Sequence, residues 1–365
     1  MKLQRALMVS GSLGRGHDAV AGACGAALQA RGVQWRMIDA MALLGRRPGA
    51  AGERVFRTLL SIPGAYDGFH FSQLRDGGAL GEAMERAAVA KMRGALRREI
   101  AAFGPDVVFP VFSTGAGAVA SLKAEGLELP SVVLMTDSFA HRMWVHEGTD
   151  LFLVTSAMAA ESIRRYRPDA RVEVVAVPVG HAFGSAPSRP EARRRLGVPA
   201  DVPCVVLMAG AWGLGPLDDA ARALASEGIW TLAVAGSNAA LEASLAMVAA
   251  AHREVVAFGF TDRIAELMSA ADVVITTAGD TCREARSLGR LILLLDVVPG
   301  HGRENLMHEL ELGGAALCLP TALSMVGSVR SLLADPQRLQ AAPATGRADT
   351  GGQLVSALRR FGFEI

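Results

Sequence analysis

No apolar run in this sequence approaches the roughly 20 residues that a membrane-spanning helix needs. The longest, such as ALMVSG from Ala6 and LILLL from Leu291, are far shorter. Met1–Ser10 also lacks the long apolar core of a signal peptide, so the expected location is cytoplasmic, with peripheral attachment to the inner face of the membrane as the closest approach to lipid. Cysteine is scarce: Cys24, Cys204, Cys282 and Cys318 form no C-x-x-C pair and have no neighbouring histidine cluster, which points to reduced thiols. Aromatic residues make up only 5% of the chain. Charge of one sign is also missing, since the formal net charge is +1 and no nucleic-acid partner is expected. That balance hides an asymmetry: residues 1–180 hold 21 Lys/Arg against 17 Asp/Glu, and residues 181–365 hold 16 against 19. The basic first half has two readings, ordinary surface composition or an anionic membrane surface as partner.

What is present is length and apolar content. A chain of 365 residues with 51% apolar composition has material for two cores, and Ala/Val/Leu-rich segments suit parallel sheets covered by helices. The first half alternates strands (ALMVSG, WRMIDA, VVFPVF, VVLMTD, LFLVTS, VEVVAV) with helices, the first helix running from His17 to Ala30. A Pro- and Arg-rich passage follows, and a second alternation begins at Cys204. The predicted organisation is α/β, with a first domain at 1–180, a linker at 181–202, a second Rossmann-like domain at 203–345 and a tail helix within 346–365 packing back toward the first domain. Within the first domain, Glu53–Arg75 crowds Phe56, Leu59, Leu60, Ile62, Tyr66, Phe69 and Phe71 beside basic residues. Such a segment either covers the sheet as ordinary amphipathic helices or dips into a bilayer interface.

Gly11-Ser12-Leu13-Gly14-Arg15-Gly16-His17 follows a strand and opens a helix, but it is neither G-x-G-x-x-G nor a P-loop with its Lys-Ser/Thr. NAD and kinase readings therefore weaken. His17 falls in the first helical turn, where the positive dipole end disfavours imidazolium; it is either a plain helix-start residue or a base. Asp137, at the carboxyl end of VVLM, can orient His17, act as a rival base or cap a turn, and His141 and Trp144 follow it as acceptor contacts or packing. In the second half three loops end strands on one sheet edge: Gly210-Ala211-Trp212-Gly213-Leu214-Gly215, Gly236-Ser237-Asn238 and Phe258-Gly259-Phe260-Thr261. Their convergence suits a diphosphate. Thr281-Cys282-Arg283-Glu284 has the form of a capping box, which makes Glu284 structural, yet the same position also puts a carboxylate at the sheet mouth for ribose hydroxyls.

Taken in order, SGSLGRGH, VFRTLLSIPGAYDGFH, TDSFAHRMW, MAGAWGLGP, GFTDRIAELMSAADVVIT, TCREA and PGHGREN resemble the monogalactosyldiacylglycerol synthase and processive diacylglycerol glucosyltransferase family, and more distantly the lipid II-forming N-acetylglucosaminyltransferase. The resemblance covers most of the chain. It implies a GT-B architecture, two Rossmann-like doubly wound domains facing a central cleft. It also implies a UDP-sugar donor held mainly by the second domain, a lipid or other hydroxyl acceptor reached through the first, inversion at the anomeric carbon, and neither a metal nor a cofactor. By position, the resemblance implies catalytic roles for His17 and Asp137. It implies donor contacts at Gly210, Gly213, Gly215, Gly236, Asn238, Phe260, Thr281, Glu284, His301 and Asn305, and acceptor contacts at Gly14, Phe56, Tyr66, His141 and Trp144. Three departures stand out: Gly279-Asp280-Thr281 is one residue shorter than the family's run, Pro299-Gly300-His301-Gly302 replaces P-G-Q-E, and Trp212 occupies a small-residue position. They leave the sugar open, together with a soluble natural-product acceptor, a UDP-N-acetylglucosamine 2-epimerase and a silent nucleotide-sugar sensor as alternatives.

Overall fold

The computed structural model describes residues 1–12, 16–45, 58, 64–335 and 351–365. The chain divides into two compact units. Met1–Gly180, the three residues Pro299–His301 and the C-terminal helix form one, and His181–Val298 with the chain resuming at Gly302 forms the other.

The first unit contains β1 (Arg5–Ser10), β2 (Gln34–Asp39), β3 (Val107–Pro110), β4 (Val132–Leu134), β5 (Leu151–Val154) and β6 (Val172–Val174). All pairings are parallel, in the orders β2-β1-β3 and β4-β5-β6. A parallel bridge between Val108 and Ser131, with the Val108 N–H donating to the Pro130 carbonyl at 2.9 Å, joins the two groups edge to edge. Every residue of β3, β4 and β5 is buried, which explains why these strands read as unbroken apolar runs. On one face Val20, Cys24 and Leu28 of the helix Gly16–Gln29 and Leu354, Val355 and Leu358 of the helix Gly352–Phe361 pack on Met8, Phe109, Leu134 and Leu153. On the other face Met92, Leu96 and Ile100 of the long helix Ala79–Phe103 and Val119 and Leu122 of the helix Ser113–Ala124 cover Leu7, Val9 and Val108. The C-terminal helix is further tied to this unit by the Gln353 side chain, which accepts from the Ala176 N–H at 2.8 Å.

The second unit is a six-stranded parallel sheet of β7 (Cys204–Met208), β8 (Trp230–Val234), β9 (Val255–Phe258), β10 (Val273–Thr276), β11 (Leu291–Leu295) and β12 (Ala315–Cys318). Its order is β12-β11-β10-β7-β8-β9, so the winding direction reverses between β7 and β10. Open α/β sheets bind ligands beyond the carboxyl ends of their strands at such a reversal. Leu217–Ser226, Ala239–Ala251 and Ala322–Leu333 supply the helices of one buried face, and Ile264–Ala270 and Asp280–Ser287 those of the other.

The passage 181–202, expected as a linker, carries the helices His181–Gly184 and Arg189–Leu196 and packs Ala192 and Val198 into the second core. Arg193, only 3% exposed, makes this possible. Its guanidinium donates to the carbonyls of Ala270 (2.9 Å), Val202 (3.0 Å) and Pro199 (3.3 Å) and to Asp272 Oδ2 (3.0 Å), while Arg189 takes the other oxygen of Asp272. An arginine-rich stretch reads as exposed, but a buried guanidinium is tolerated when carbonyls and a carboxylate saturate it. Arg193→Met strands those acceptors and is expected to cost on the order of 3 kcal/mol, seen as a lowered urea midpoint.

Candidate functional site

In the first unit the winding reverses between β1 and β3, and His17 stands at that point as the second residue of its helix. Gly11 leaves room for the Phe112 ring, since a Cβ there would lie 2.3 Å from it. Phe112 in turn meets the His17 imidazole edge-on, with ring centroids 5.1 Å apart. His17 Nδ1 lies 2.9 Å from the Val111 carbonyl and 3.0 Å from Thr136 Oγ1. A carbonyl only accepts, so Nδ1 carries the proton and Nε2 carries the lone pair. This is the tautomer a general base needs.

Asp137 follows Thr136 directly. The Trp144 indole N–H donates to its Oδ2 at 2.7 Å, and His141 Nε2 lies 3.6 Å from the same oxygen. Burial pushes the Asp137 carboxyl up, but His301, His141, His17 and the indole hydrogen bond outweigh it and hold the group below the usual carboxylate range. His141 behaves oppositely: burial, opposed by Asp137, drives its imidazole down to about 4, and its enclosed Nδ1 has no hydrogen-bond partner among the described residues. At neutral pH the site therefore holds an anionic Asp137 beside a neutral His141. The turn Arg142–Trp144 that aims the indole is braced by His146, whose Nε2 donates to the Met143 carbonyl at 2.9 Å and approaches Glu85 at 3.2 Å.

Several expected acceptor contacts change character. Trp144 is 1% exposed, so it is a core residue that meets the site through Asp137 and the His141 ring and offers no exposed surface to an acceptor. Tyr66 is also buried, and its hydroxyl is hydrogen-bonded to His301 Nδ1 at 3.0 Å. A residue assigned to the acceptor and one assigned to the donor thus meet within the first unit. Gly14 and Phe56, both expected on the acceptor side, lie outside the described residues.

In the second unit the glycine loops stand at the carboxyl ends of β7, β8 and β10. Gly213 and Gly236 have φ of 56° and 62°, and a Cβ would lie 2.6 Å from the Ala235 carbonyl at the first and 2.4 Å from the Ala211 carbonyl at the second. Only glycine fits at either position. The Ser237 N–H donates to the Ala211 carbonyl at 2.7 Å, lacing the loops after β7 and β8 together. Gly210 and Gly215 also take positive φ in this loop. Asn238 is committed to structure: its side chain accepts from the Leu241 N–H at 3.1 Å as a helix cap, and its amide lies 3.4 Å from the Trp212 carbonyl. Phe260 is 62% exposed, and Asn305 lies partly buried in the helix His301–Glu311.

The capping box expected at Thr281–Glu284 does not form. The helix begins two residues earlier than that box requires, at Asp280, with Gly279 as its cap and no side-chain capping bond, so Thr281 lies inside the first turn. Asp280 pairs instead with Arg283 at 3.0 Å. Glu284 is partly buried, and no hydrogen bond or ion pair engages its carboxylate among the described residues. Burial, reinforced by Asp280 and opposed by Arg283, raises it to about 7. A carboxylate at the mouth of the sheet with no such partner among the described residues can accept hydrogen bonds from a ligand. Among the described residues no group of three or more His, Cys, Asp or Glu side chains can hold a metal ion, and no helix is long and apolar enough to cross a membrane.

Two parallel doubly wound units, each with its winding reversed within the sheet, have the architecture of the GT-B class. Solved structures align along nearly the whole chain: MurG of Acinetobacter baumannii (TM-score 0.61, 17% identity, 98% of this chain and 99% of that one) and the UDP-GlcNAc 2-epimerase of Neisseria meningitidis (TM-score 0.63, 12% identity, 98% and 100%). At such identities they establish the fold alone. Residues 17–179 match the family described as monogalactosyldiacylglycerol (MGDG) synthase, which bears out the resemblance read from the motifs. Similar proteins include the processive diacylglycerol beta-glucosyltransferases of Bacillus pumilus, 29% identical over 241 residues, and of Bacillus subtilis, 28% identical over 240. These alignments take in 65% and 64% of this chain, and it spans 60% of the length of each relative.

Proposed function

We propose that the protein is an inverting, metal-independent glycosyltransferase that moves a hexose or N-acetylhexosamine from a UDP-sugar to the hydroxyl of diacylglycerol or another lipid. The observation that carries this reading is the His17 ring, whose Nδ1 proton is engaged by the Val111 carbonyl so that Nε2 is the basic nitrogen. In the reaction, Nε2 takes the proton from the acceptor hydroxyl as its oxygen attacks C1 of the sugar. The bond from C1 to the diphosphate breaks through an oxocarbenium-like state, and the configuration inverts. Backbone N–H groups of the Gly210–Gly215 loop and of the first turn of Asp280–Ser287 are suited to the departing diphosphate. Asp137, kept ionised, supports the imidazolium that His17 becomes, and Glu284 accepts from the ribose hydroxyls. Phe71, Leu80 and Met84 are 40%, 57% and 51% exposed beside Arg86 and Lys91, which suits peripheral contact with an anionic lipid surface.

The test is incubation with diacylglycerol in anionic vesicles and UDP-glucose, UDP-galactose or UDP-N-acetylglucosamine in turn, without added metal, followed by analysis of extracted lipid. One donor is expected to yield a glycosylated lipid of inverted configuration. No lipid glycoside from any donor would sink the lipid assignment, and epimerised donor in the absence of acceptor would replace transfer with epimerisation.

A further inference from the structure

His301 does not stand alone: Gly300 takes φ of 62° and a Cβ there would lie 2.5 Å from the Tyr66 ring, so the backbone runs directly against that ring. The Gly300 N–H donates to Asp67 Oδ1 at 2.6 Å, and the Tyr66 hydroxyl bonds His301 Nδ1 at 3.0 Å. The imidazole also meets the Tyr66 ring edge-on at 5.7 Å and lies 6.1 Å from the His70 ring, which in turn stands 6.1 Å from His141. Two consecutive residues of the helix Ala65–Phe69 thus grip Gly300 and His301, where the loop after β11 enters the helix His301–Glu311. Among the charged neighbours of Asp137, His301 acts most strongly, ahead of His141 and His17.

We propose that His301 is a positioning residue for the acceptor-side carboxylate Asp137, clamped in place by Tyr66 and Asp67, and not a contact of the transferred sugar. The proposal rests on the glycosyltransferase reading above. It assigns His301 to acceptor activation, whereas the resemblance alone puts it on the donor. Asp137 is faced by His17 from the helix Gly16–Gln29, by His141 and Trp144 from its own loop, and by His301; His141 is faced in turn by His70 and Glu85. His301 is thus the member of the set delivered from a distant part of the sequence, and the Tyr66 and Asp67 bonds are among the contacts that hold it.

Two measurements test this. The first needs no turnover: the ring-proton NMR signal of His301 is titrated in the wild type and in Asp137→Asn, where its midpoint is expected to fall by about one pH unit once the carboxylate charge is gone. An unmoved midpoint overturns the proposal whether or not the protein is a transferase. The second is kinetic. His301→Gln is expected to lower kcat about tenfold and to move the acid limb of its pH profile to higher pH, because Asp137 protonates more readily without the imidazole. KM for the UDP-sugar and the preference among sugars are expected to stay the same, with Tyr66→Phe shifting the limb the same way by less. A changed sugar preference with an unmoved pH profile overturns the proposal and returns His301 to the donor. Wild-type protein inactive with every donor would remove the transferase reading while the NMR result still decides the clamp.

Discussion

His17→Ala is expected to lower kcat by roughly 10²–10⁴-fold, the range for loss of a positioned general base. UDP affinity by calorimetry should change less than about twofold, since His17 belongs to the first unit and the glycine loops to the second. The expectation follows from hydrogen-bond bookkeeping at one nitrogen. With the Val111 carbonyl at 2.9 Å, the imidazole is held in the tautomer whose Nε2 is free to accept. Thr136 Oγ1 shares the same nitrogen, so Thr136→Val should leave the tautomer in place and cost far less than the loss of the ring. The rival is Asp137. If Asp137→Asn abolishes transfer while His17→Ala retains most of it, the base is the carboxylate and His17 serves the site through orientation.

How far the sequence could be read depends on the range of the interaction concerned. Buried parallel strands declare themselves as apolar runs because both faces are covered, and β3, β5, β7 and β11 follow that rule residue by residue. Glycines at strand ends were equally legible, because Gly213 and Gly236 sit where a side chain would strike a carbonyl. Local pattern misled where tertiary packing decided the outcome. Thr281 and Glu284 have the spacing of a capping box, yet the helix starts at Asp280 with Gly279 as its cap, and the Asp280–Arg283 pair takes up the first turn. The meeting of Tyr66 with His301 spans 235 positions and leaves no periodic trace. Burial of Arg193 depends on carbonyls from two segments, the loop at Pro199–Val202 and Ala270 some 77 positions away, and was invisible for the same reason.

With the capping box absent, Glu284→Gln separates cleanly into a stability effect and a binding effect of opposite sign. The carboxyl is raised to about 7 in the folded protein, chiefly by burial. A raised acid contributes stability that is fully present below its unfolded value near 4.5 and is lost as pH climbs through about 7. The wild type should therefore lose on the order of 2 kcal/mol through this group between pH 5 and pH 8, and Glu284→Gln should not. At pH 8 the variant is expected to have the higher urea midpoint, the reverse of what loss of a capping residue would give. UDP binding should go the other way. A carboxylate accepting from ribose hydroxyls contributes about 1.5–3 kcal/mol per charge-assisted bond, so the variant should bind UDP roughly 10–100-fold more weakly at pH 8. Wild-type affinity should also rise from pH 6 to pH 8 as the carboxyl ionises, while the variant stays flat through that step. A variant that is less stable at pH 8 and binds UDP like the wild type would restore Glu284 to a purely structural role.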